Sequence, residues 1–294
     1  MLLLALISLS ALGLVSADTV DYQARNLATR LRISKIYNTT IYPNNLPILQ
    51  NGSSATPPGL FNQNASGRIS PLGNFTGFAD STEYFFALSP NPGQTGPGII
   101  QPNYNAFTSF EIYSYSSSCA SVAQSVVYLV TTVVRPGHPD DGKLVSKLKQ
   151  IATWRFDDDG AVLYYDAWIG NLALWNAELL GQDLSQPIIQ TAALATNLCP
   201  QIQARCTGAN QVYSDTLTCT AELELKPFGT FDEVWGDNVV CRLVHVILTQ
   251  IRPEIHCPHV GPSGGGKCVD VKYDDVYLTD DVALFGSNDA FRCP

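Results

Sequence analysis

Eight cysteines constrain the fold of this chain more than any other feature of its sequence. All of them lie after residue 118, at Cys119, Cys199, Cys206, Cys219, Cys241, Cys257, Cys268 and Cys293. An even number of cysteines in a secreted protein is typical of a disulfide framework, whereas in a cytosolic chain it indicates metal or redox chemistry. The compartment therefore decides what the cysteines do.

The first 17 residues predict a secretory signal peptide. An uncharged apolar run over residues 2–15 ends in Val15-Ser16-Ala17, which has the small residues that signal peptidase accepts. The run is short for the roughly 20 residues that span a bilayer, although an uncleaved anchor is the alternative because no basic residue precedes Asp18. We predict a secreted, extracellular protein with four disulfides and no membrane span after cleavage.

Four glycosylation signals support the same compartment. Asn-x-Ser/Thr sequons occur at Asn38, Asn51, Asn64 and Asn74, in a stretch rich in Pro, Gly, Ser and Asn. Such a cluster predicts a glycosylated surface segment.

The composition is that of a globular protein. Of the 294 residues, 45% are hydrophobic and 15% are charged, and the formal net charge is -9. Binding to nucleic acid takes a surplus of Lys and Arg, which this chain lacks, so we expect no nucleic-acid partner.

The chain divides into four parts on these patterns. The signal peptide, residues 1–17, is followed by an N-terminal helix and a glycosylated, irregular covering segment over 18–104. An α+β core over 105–185 and a cysteine-rich helical region over 186–294 complete the chain. The helix is predicted from apolar residues that recur at helical spacing, namely Val20, Ala24, Leu27, Ala28 and Leu31.

The central part predicts strands. Residues 110–115 and the β-branched run 125–134 have the composition of strands. Residues 144–151 show helical spacing, with a strand that leads into 152–156 as the competing interpretation. Asp157-Asp158-Asp159-Gly160 then separates two aromatic-rich runs, which predicts a hairpin rather than a calcium loop.

Two helices are predicted in the last part, over 187–198 and 237–251, the second with Asp237 as a candidate N-cap. Arg242, His245, Thr249 and Arg252 fall on one stripe of the second helix. The stripe is either solvated or a polar wall of a pocket. In the second case His245 could act as a general acid or base.

Residues 256–268 contain a candidate metal site and a candidate phosphate-binding loop. His256 and His259 flank Cys257 and Pro258, and with Cys268 they could bind zinc. Oxidised cysteines would leave two histidines, so we predict no metal and no other cofactor; a hydrolase that uses the two histidines is a minor alternative. The run GPSGGGKC at 261–268 fits a phosphate loop except for its cysteine, and is interpreted as a tight turn.

Two segments resemble known families. Residues 151–169, IATWRFDDDGAVLYYDAWI, are similar to the hairpin of nuclear-transport-factor-2-like, or SnoaL-type, cone domains, and the similarity extends over about 105–185. The C-terminal segments Cys241-Arg242, HCPH at 256–259 and GPSGGGKC resemble secreted, cysteine-containing fungal proteins of unassigned activity. The resemblance implies an α+β fold: a curved antiparallel sheet with packed helices around a pocket, plus a disulfide-stapled, mainly helical C-terminal layer.

The cone resemblance also implies a function. Enzymes of that fold include isomerases, dehydratases, cyclases and epoxide hydrolases that act on small apolar molecules, usually with Asp and His or Tyr in the pocket, and Asp166 is the positional match. We therefore hypothesise a pocket for a small apolar ligand with acid/base chemistry by Asp166, His245, Tyr128 and Tyr165. The alternative is a non-catalytic extracellular or cell-surface interaction protein. Catalysis itself, the disulfide pairing and the oligomeric state stay open.

Overall fold

A computed structural model describes residues 22–93, 104–272, 274 and 281–293. The predicted signal peptide lies outside these residues. None of the helices within them combines the length and the apolar character that a bilayer crossing requires.

Six strands form one mixed sheet in the described part of the chain, in the order β2-β1-β6-β5-β4-β3. All neighbouring pairs are antiparallel except β1 and β6, which are parallel. The strands are β1 (Phe61–Ser70), β2 (Gly73–Thr76), β3 (Asn105–Cys119), β4 (Val122–Val133), β5 (Leu144–Phe156) and β6 (Val162–Trp168). The sheet carries helices packed on it, which confirms the predicted α+β class.

The predicted hairpin is confirmed as β5 and β6. The Asp157 carboxylate accepts a hydrogen bond from the Ala161 amide at 2.8 Å, and Gly160 takes the positive φ of 87° that the turn requires. The helical interpretation of 144–151 is wrong. From Leu148 onwards β5 alternates buried and more exposed residues along its pairing with β4, because a strand turns successive side chains to opposite faces.

The N-terminal helix exists, but its buried face differs from the predicted one. It is α1 (Tyr22–Thr40), and Leu27 and Leu31 are 59% and 54% exposed. The buried apolar residues that the structure describes in this helix are Ile33, Ile36 and Tyr37, in its second half. Tyr37 packs against aromatic rings of the sheet, so the face that meets the sheet is set by the end of the helix and not by its leucines.

The segment that we expected to be irregular contributes to the sheet. It holds β1, β2, the short helix α2 (Leu46–Asn51) and α3 (Phe78–Thr82), which continues as a π-helical turn, Glu83–Ala87. Strand β1 lies between β2 and β6, and Gly67 passes so close to Tyr165 that an added Cβ would lie 2.4 Å from the tyrosine ring. A side chain at this position would therefore separate β1 from β6.

The C-terminal region is helical, as predicted. Its helices are α4 (Leu172–Leu180), α5 (Pro187–Ala192), which continues through a π-helical turn (Ala193–Leu198) into α6 (Cys199–Arg205), α7 (Thr216–Leu223), α8 (Val239–Leu248), α9 (Pro253–Val260) and α10 (Asp281–Phe285). The N-cap of α8 is Asn238, which accepts a hydrogen bond from the Cys241 amide, and not Asp237. Asp237 instead pairs with Lys226 and Arg242.

Four disulfides staple this region and confirm the predicted use of the cysteines. The pairs are Cys119–Cys293, Cys199–Cys219, Cys206–Cys257 and Cys241–Cys268. The second joins α6 to α7, the third α6 to α9, and the fourth α8 to the loop after α9. Four of the bonded cysteines, Cys199, Cys206, Cys219 and Cys257, belong to a second hydrophobic cluster, distinct from the main core of the sheet.

Candidate functional site

A cavity of about 750 Å³ lies between the sheet and the C-terminal helices. Strands β4 and β5 contribute Leu129 and Leu148, and helices α4 and α8 contribute further apolar walls. Its volume falls within the range of small-molecule sites, which are concave and mostly apolar. Other apolar lining residues are Leu172, Leu179, Ile189, Leu243, Val244 and Ile247.

A few polar groups interrupt this apolar lining. Gln150 reaches it from β5, Asn176 and Trp175 from α4, and Tyr84 from the π-helical turn after α3. The Trp175 indole Nε1 is buried and has no hydrogen-bond partner within the described residues. An unpaired buried donor of this kind costs free energy.

Tyr84 connects the cavity wall to a buried histidine. Its hydroxyl lies 2.9 Å from Nδ1 of His245 on α8, and its ring stacks on Phe75 with centroids 4.0 Å apart. Burial, and then the carboxylates of Asp80 and Glu83, raise the pKa of Tyr84 well above its usual value. The phenol is therefore protonated and donates to His245.

Three buried histidines form a cluster behind Tyr84, which we call the histidine cluster: His245, His256 and His259. One ligand nitrogen from each lies within 4.8 Å of the others, and the Nδ1 atoms of His245 and His259 are 3.2 Å apart. Helix α9 carries two of them at positions three apart, so both face α8. Cys241, His245 and Cys268 also lie close together, but both cysteines are oxidised.

Glu83 positions the third histidine of the cluster. Its carboxylate is fully buried and lies 3.0 Å from Nε2 of His256. The same carboxylate and that of Asp80 pair with the Arg252 guanidinium at 2.7 and 2.6 Å. Within the described residues, Nδ1 of His256 is buried and has no hydrogen-bond partner.

The environment keeps His245 and His259 uncharged near neutral pH. Burial lowers the pKa of His245 well below its usual value, and His259 and His256 lower it further. Burial, followed by His256 and Lys267, lowers the pKa of His259 to about 4. Both rings therefore present a lone pair at pH 7.

The polar stripe of α8 is buried, so the interpretation as a solvated stripe is wrong. Arg242 and Thr249 are 0% and 1% exposed. The Arg242 guanidinium donates to the carbonyls of Gly261 and Pro262, which fixes the glycine-rich loop as a tight turn. An added Cβ on Gly265 would lie 2.6 Å from the backbone of Pro258, so this turn needs glycine.

The structure brings only His245, of the four predicted site residues, next to the cavity wall. Asp166 faces the other side of the sheet and pairs with Arg68 at 2.7 Å. Tyr128 packs edge-on against Tyr113, also away from the main core. Tyr165 is buried in the core, where its hydroxyl donates to Ser81.

Sequence reasoning missed Tyr84 and Glu83. The signal was a short aromatic island at 84–88 within a segment of turn residues, and nothing in it indicated that a helical turn carries it to α8. Three of the four sequon asparagines, Asn38, Asn51 and Asn64, are exposed, whereas Asn74 is half-buried.

The chain is similar in sequence to a known family and to proteins of Aspergillus. Residues 172–271 match the model of the BfoA family C-terminal domain. The chain is 32% identical over 244 residues to aurasperone B biosynthesis cluster protein A of Aspergillus niger, covering 80% of this chain and 74% of that protein. Bifonsecin B biosynthesis cluster protein A of Aspergillus brasiliensis is 30% identical, with 80% and 76% covered.

Solved structures are similar at lower identity. One is classed as a SnoaL-like polyketide cyclase from Jannaschia sp. CCS1, with 11% identity and a TM-score of 0.35 over 55% of this chain and 96% of that one. An NTF2-like protein with a cystatin-like fold from Novosphingobium aromaticivorans has 11% identity and a TM-score of 0.34, with 57% and 99% covered.

Proposed function

Since the chain belongs to the BfoA family, with the biosynthesis cluster proteins A of Aspergillus, we propose that it binds a small, mainly apolar molecule in the cavity between the sheet and the C-terminal helices. The observation that carries the proposal is the cavity of about 750 Å³ with its apolar lining. The relatives are named for the biosynthesis of small molecules, which supports a ligand of that size.

The polar groups of the cavity define the ligand further. Apolar side chains would contact most of its surface, and the side chains of Gln150 and Asn176, which also line the cavity, would bond its polar atoms. A mainly apolar molecule with a few polar atoms fits both requirements.

Acid/base chemistry is the catalytic form of this proposal. The hydrogen bond from Tyr84 to His245 places a neutral imidazole behind a residue of the cavity wall. As the Tyr84 oxygen takes a proton from the ligand, the phenolic proton would pass to the free lone pair on Nδ1 of His245, and the reverse transfer would return a proton to the ligand. Isomerisation or dehydration of the bound molecule would use this arrangement.

The geometry of the surface distinguishes this function from the alternative, a non-catalytic interaction protein. A cavity with converging polar groups favours a ligand-binding protein, and an exposed apolar patch without a cavity favours the alternative. The cavity supports the first function.

Filling the cavity tests binding. Ala193 lines the cavity, whereas Ala195 in the same helical turn is exposed. We expect Ala193→Trp to weaken binding of the apolar dye 1-anilinonaphthalene-8-sulfonate at least about tenfold, because the indole occupies the site, and Ala195→Trp to leave it unchanged. Equal dye binding by the wild type and both variants would contradict the proposal. Mass spectrometry of an organic extract of the native protein would then identify the natural ligand.

We also propose that the protein is secreted and glycosylated. Four disulfides support an oxidising compartment, and the exposed Asn38, Asn51 and Asn64 can accept glycans. Expression of the full sequence in a fungal host, followed by glycosidase treatment of the culture medium, tests both. Protein that stays inside the cells, or whose mass glycosidase does not change, would contradict this part.

A further inference from the structure

The geometry points to a mononuclear Zn²⁺ site in which His245, His256 and His259 are the protein ligands. The site lies behind Tyr84, which lines the cavity and contacts His245. All three ligand side chains are already buried next to one another.

The spacing of the nitrogens fits one ion. Zn–N bonds of about 2.0–2.1 Å in a tetrahedron place two ligand nitrogens about 3.3 Å apart. The Nδ1 atoms of His245 and His259 are 3.2 Å apart, and all three ligand atoms lie within 4.8 Å of one another. Small rotations of the ring of His256 would close the remaining distance.

The hydrogen bonding of the cluster is unsatisfactory without an ion. Nδ1 of His245 has one lone pair, yet both the Tyr84 hydroxyl and Nδ1 of His259 lie within hydrogen-bond distance of it. Nδ1 of His256, in a side chain that is 1% exposed, has no partner within the described residues. A cation between the three rings would take the Nδ1 lone pair of each histidine, and the Tyr84 hydroxyl, which donates to His245 in the metal-free protein, would then bond elsewhere.

A second observation orients His256 as a ligand. Its Nε2 faces the buried Glu83 carboxylate at 3.0 Å, which leaves Nδ1 for the metal. Histidine ligands commonly donate their other ring N–H to a carboxylate, which fixes the tautomer and makes the ligand nitrogen more basic. Glu83 is also the negative charge that offsets the buried ion.

The helices that carry the ligands are held rigidly. The bond Cys241–Cys268 ties α8 to the loop after α9, and Cys206–Cys257 ties α9 to α6. Ligands on pinned elements lose little freedom when they bind an ion. Three histidines plus one open position is the ligand set of catalytic zinc sites, and Tyr84 both contacts His245 and lines the cavity.

The test measures Zn²⁺ alone and needs no organic ligand, so it is independent of the dye experiment. Full-length, disulfide-bonded protein without a polyhistidine tag is stripped with EDTA, freed of chelator and titrated with ZnCl₂ in a calorimeter. We expect one Zn²⁺ per chain. His256→Gln and His259→Gln should each weaken binding at least about 100-fold.

The fourth histidine of the chain provides the matched control. His138 lies on the surface in the turn after β4, with 41% of its side chain exposed, so His138→Gln should bind Zn²⁺ as the wild type does. Failure of the wild type to bind, or equal binding by all variants, would overturn the site. Near-ultraviolet circular dichroism checks that each variant is folded.

The visible spectrum of bound Co²⁺ tests the site in the wild type alone, so it does not depend on whether a variant folds. Co²⁺ in a tetrahedral nitrogen site gives intense visible absorption, whereas octahedral Co²⁺ on a protein surface gives almost none. We expect the wild type with one equivalent of CoCl₂ to show the tetrahedral spectrum and to lose it when ZnCl₂ is added. An octahedral spectrum, or none, would overturn the site.

Discussion

The hydroxyl of Tyr84 lies 2.9 Å from Nδ1 of His245, although 161 positions separate the two residues in the chain. One end of this hydrogen bond lines the cavity, and the other belongs to the histidine cluster. It therefore joins the two features from which we infer a function.

Removal of the Tyr84 hydroxyl should weaken the fold modestly. We expect Tyr84→Phe to lower the free energy of unfolding of the metal-free protein by about 1 kcal/mol, because one buried hydrogen bond is lost while His245 keeps its contact with His259. Urea unfolding followed by circular dichroism measures this. The control Tyr128→Phe, on the other face of the sheet, should change it by less than about 0.5 kcal/mol. Equal losses would argue against a specific bond.

Neutralising Glu83 should weaken the metal site without removing a ligand. Glu83→Gln keeps the shape of the side chain but not its charge, so we expect Zn²⁺ affinity to fall about 10–100-fold, as for other carboxylates that orient a ligating histidine. Calorimetric titration with ZnCl₂ provides the measurement. Unchanged affinity would mean that Glu83 pairs with Arg252 but does not orient His256 for the metal.

Asp166 should matter for stability and not for ligand binding. Asp166→Asn removes the charge that Arg68 contacts on the outer face of the sheet, so we expect a loss of about 1 kcal/mol in the free energy of unfolding. Dye affinity should match that of the wild type. Asp158→Asn in the exposed hairpin turn is the matched control. A loss of dye binding in Asp166→Asn alone would return Asp166 to the site.

Breaking one disulfide should loosen the helices that carry the histidines. The bond Cys241–Cys268 closes a loop of 27 residues, and in the chain-entropy model its removal costs about 3–4 kcal/mol. We expect the double variant Cys241→Ser/Cys268→Ser to unfold at a correspondingly lower urea concentration and to bind Zn²⁺ more weakly. Wild-type affinity for Zn²⁺ in a destabilised variant would show that the site does not need this bond.

The free energy of unfolding should fall in alkaline solution, because four tyrosines are buried. Burial raises the pKa of Tyr213 to about 12 and moves those of Tyr37, Tyr84 and Tyr165 upward as well. The unfolded chain loses these protons near pH 10 and the native chain does not, so stability is intact below pH 10 and falls as pH rises above it. Tyr213 alone accounts for a loss of up to about 3 kcal/mol in the free energy of unfolding by pH 12.

Absorbance at the tyrosinate band checks this prediction. The four buried tyrosines should ionise together with the loss of circular dichroism. Ionisation of all tyrosines in the intact fold would contradict it.

Local patterns in the sequence predicted much of the fold. The Asp-Gly turn predicted the β5–β6 hairpin, and the long β-branched run predicted β4, because turn chemistry and strand composition act over neighbouring residues. The helix with His245 was also predicted, including a stripe that could form a polar wall. These elements needed no long-range information.

The missed features depend on contacts between distant segments. Strand β1 carries Asn, Gln, Ser and Gly instead of an alternating apolar pattern, and it is a strand because β2 and β6 lie on either side of it. The exposed Leu27 and Leu31 show the same effect on α1. Spacing of the histidines predicted a pair at 256 and 259, but it could not show that Tyr84 and Glu83 meet them.

The bond between Cys119 and Cys293 has a consequence for the covalent structure. It closes a ring of 174 positions that contains β4, β5, β6 and every helix from α4 to α10. One peptide-bond cleavage anywhere between these cysteines therefore leaves the two halves of the polypeptide linked, and they separate only after reduction. A protease in the surroundings of the protein could nick its loops without releasing a fragment.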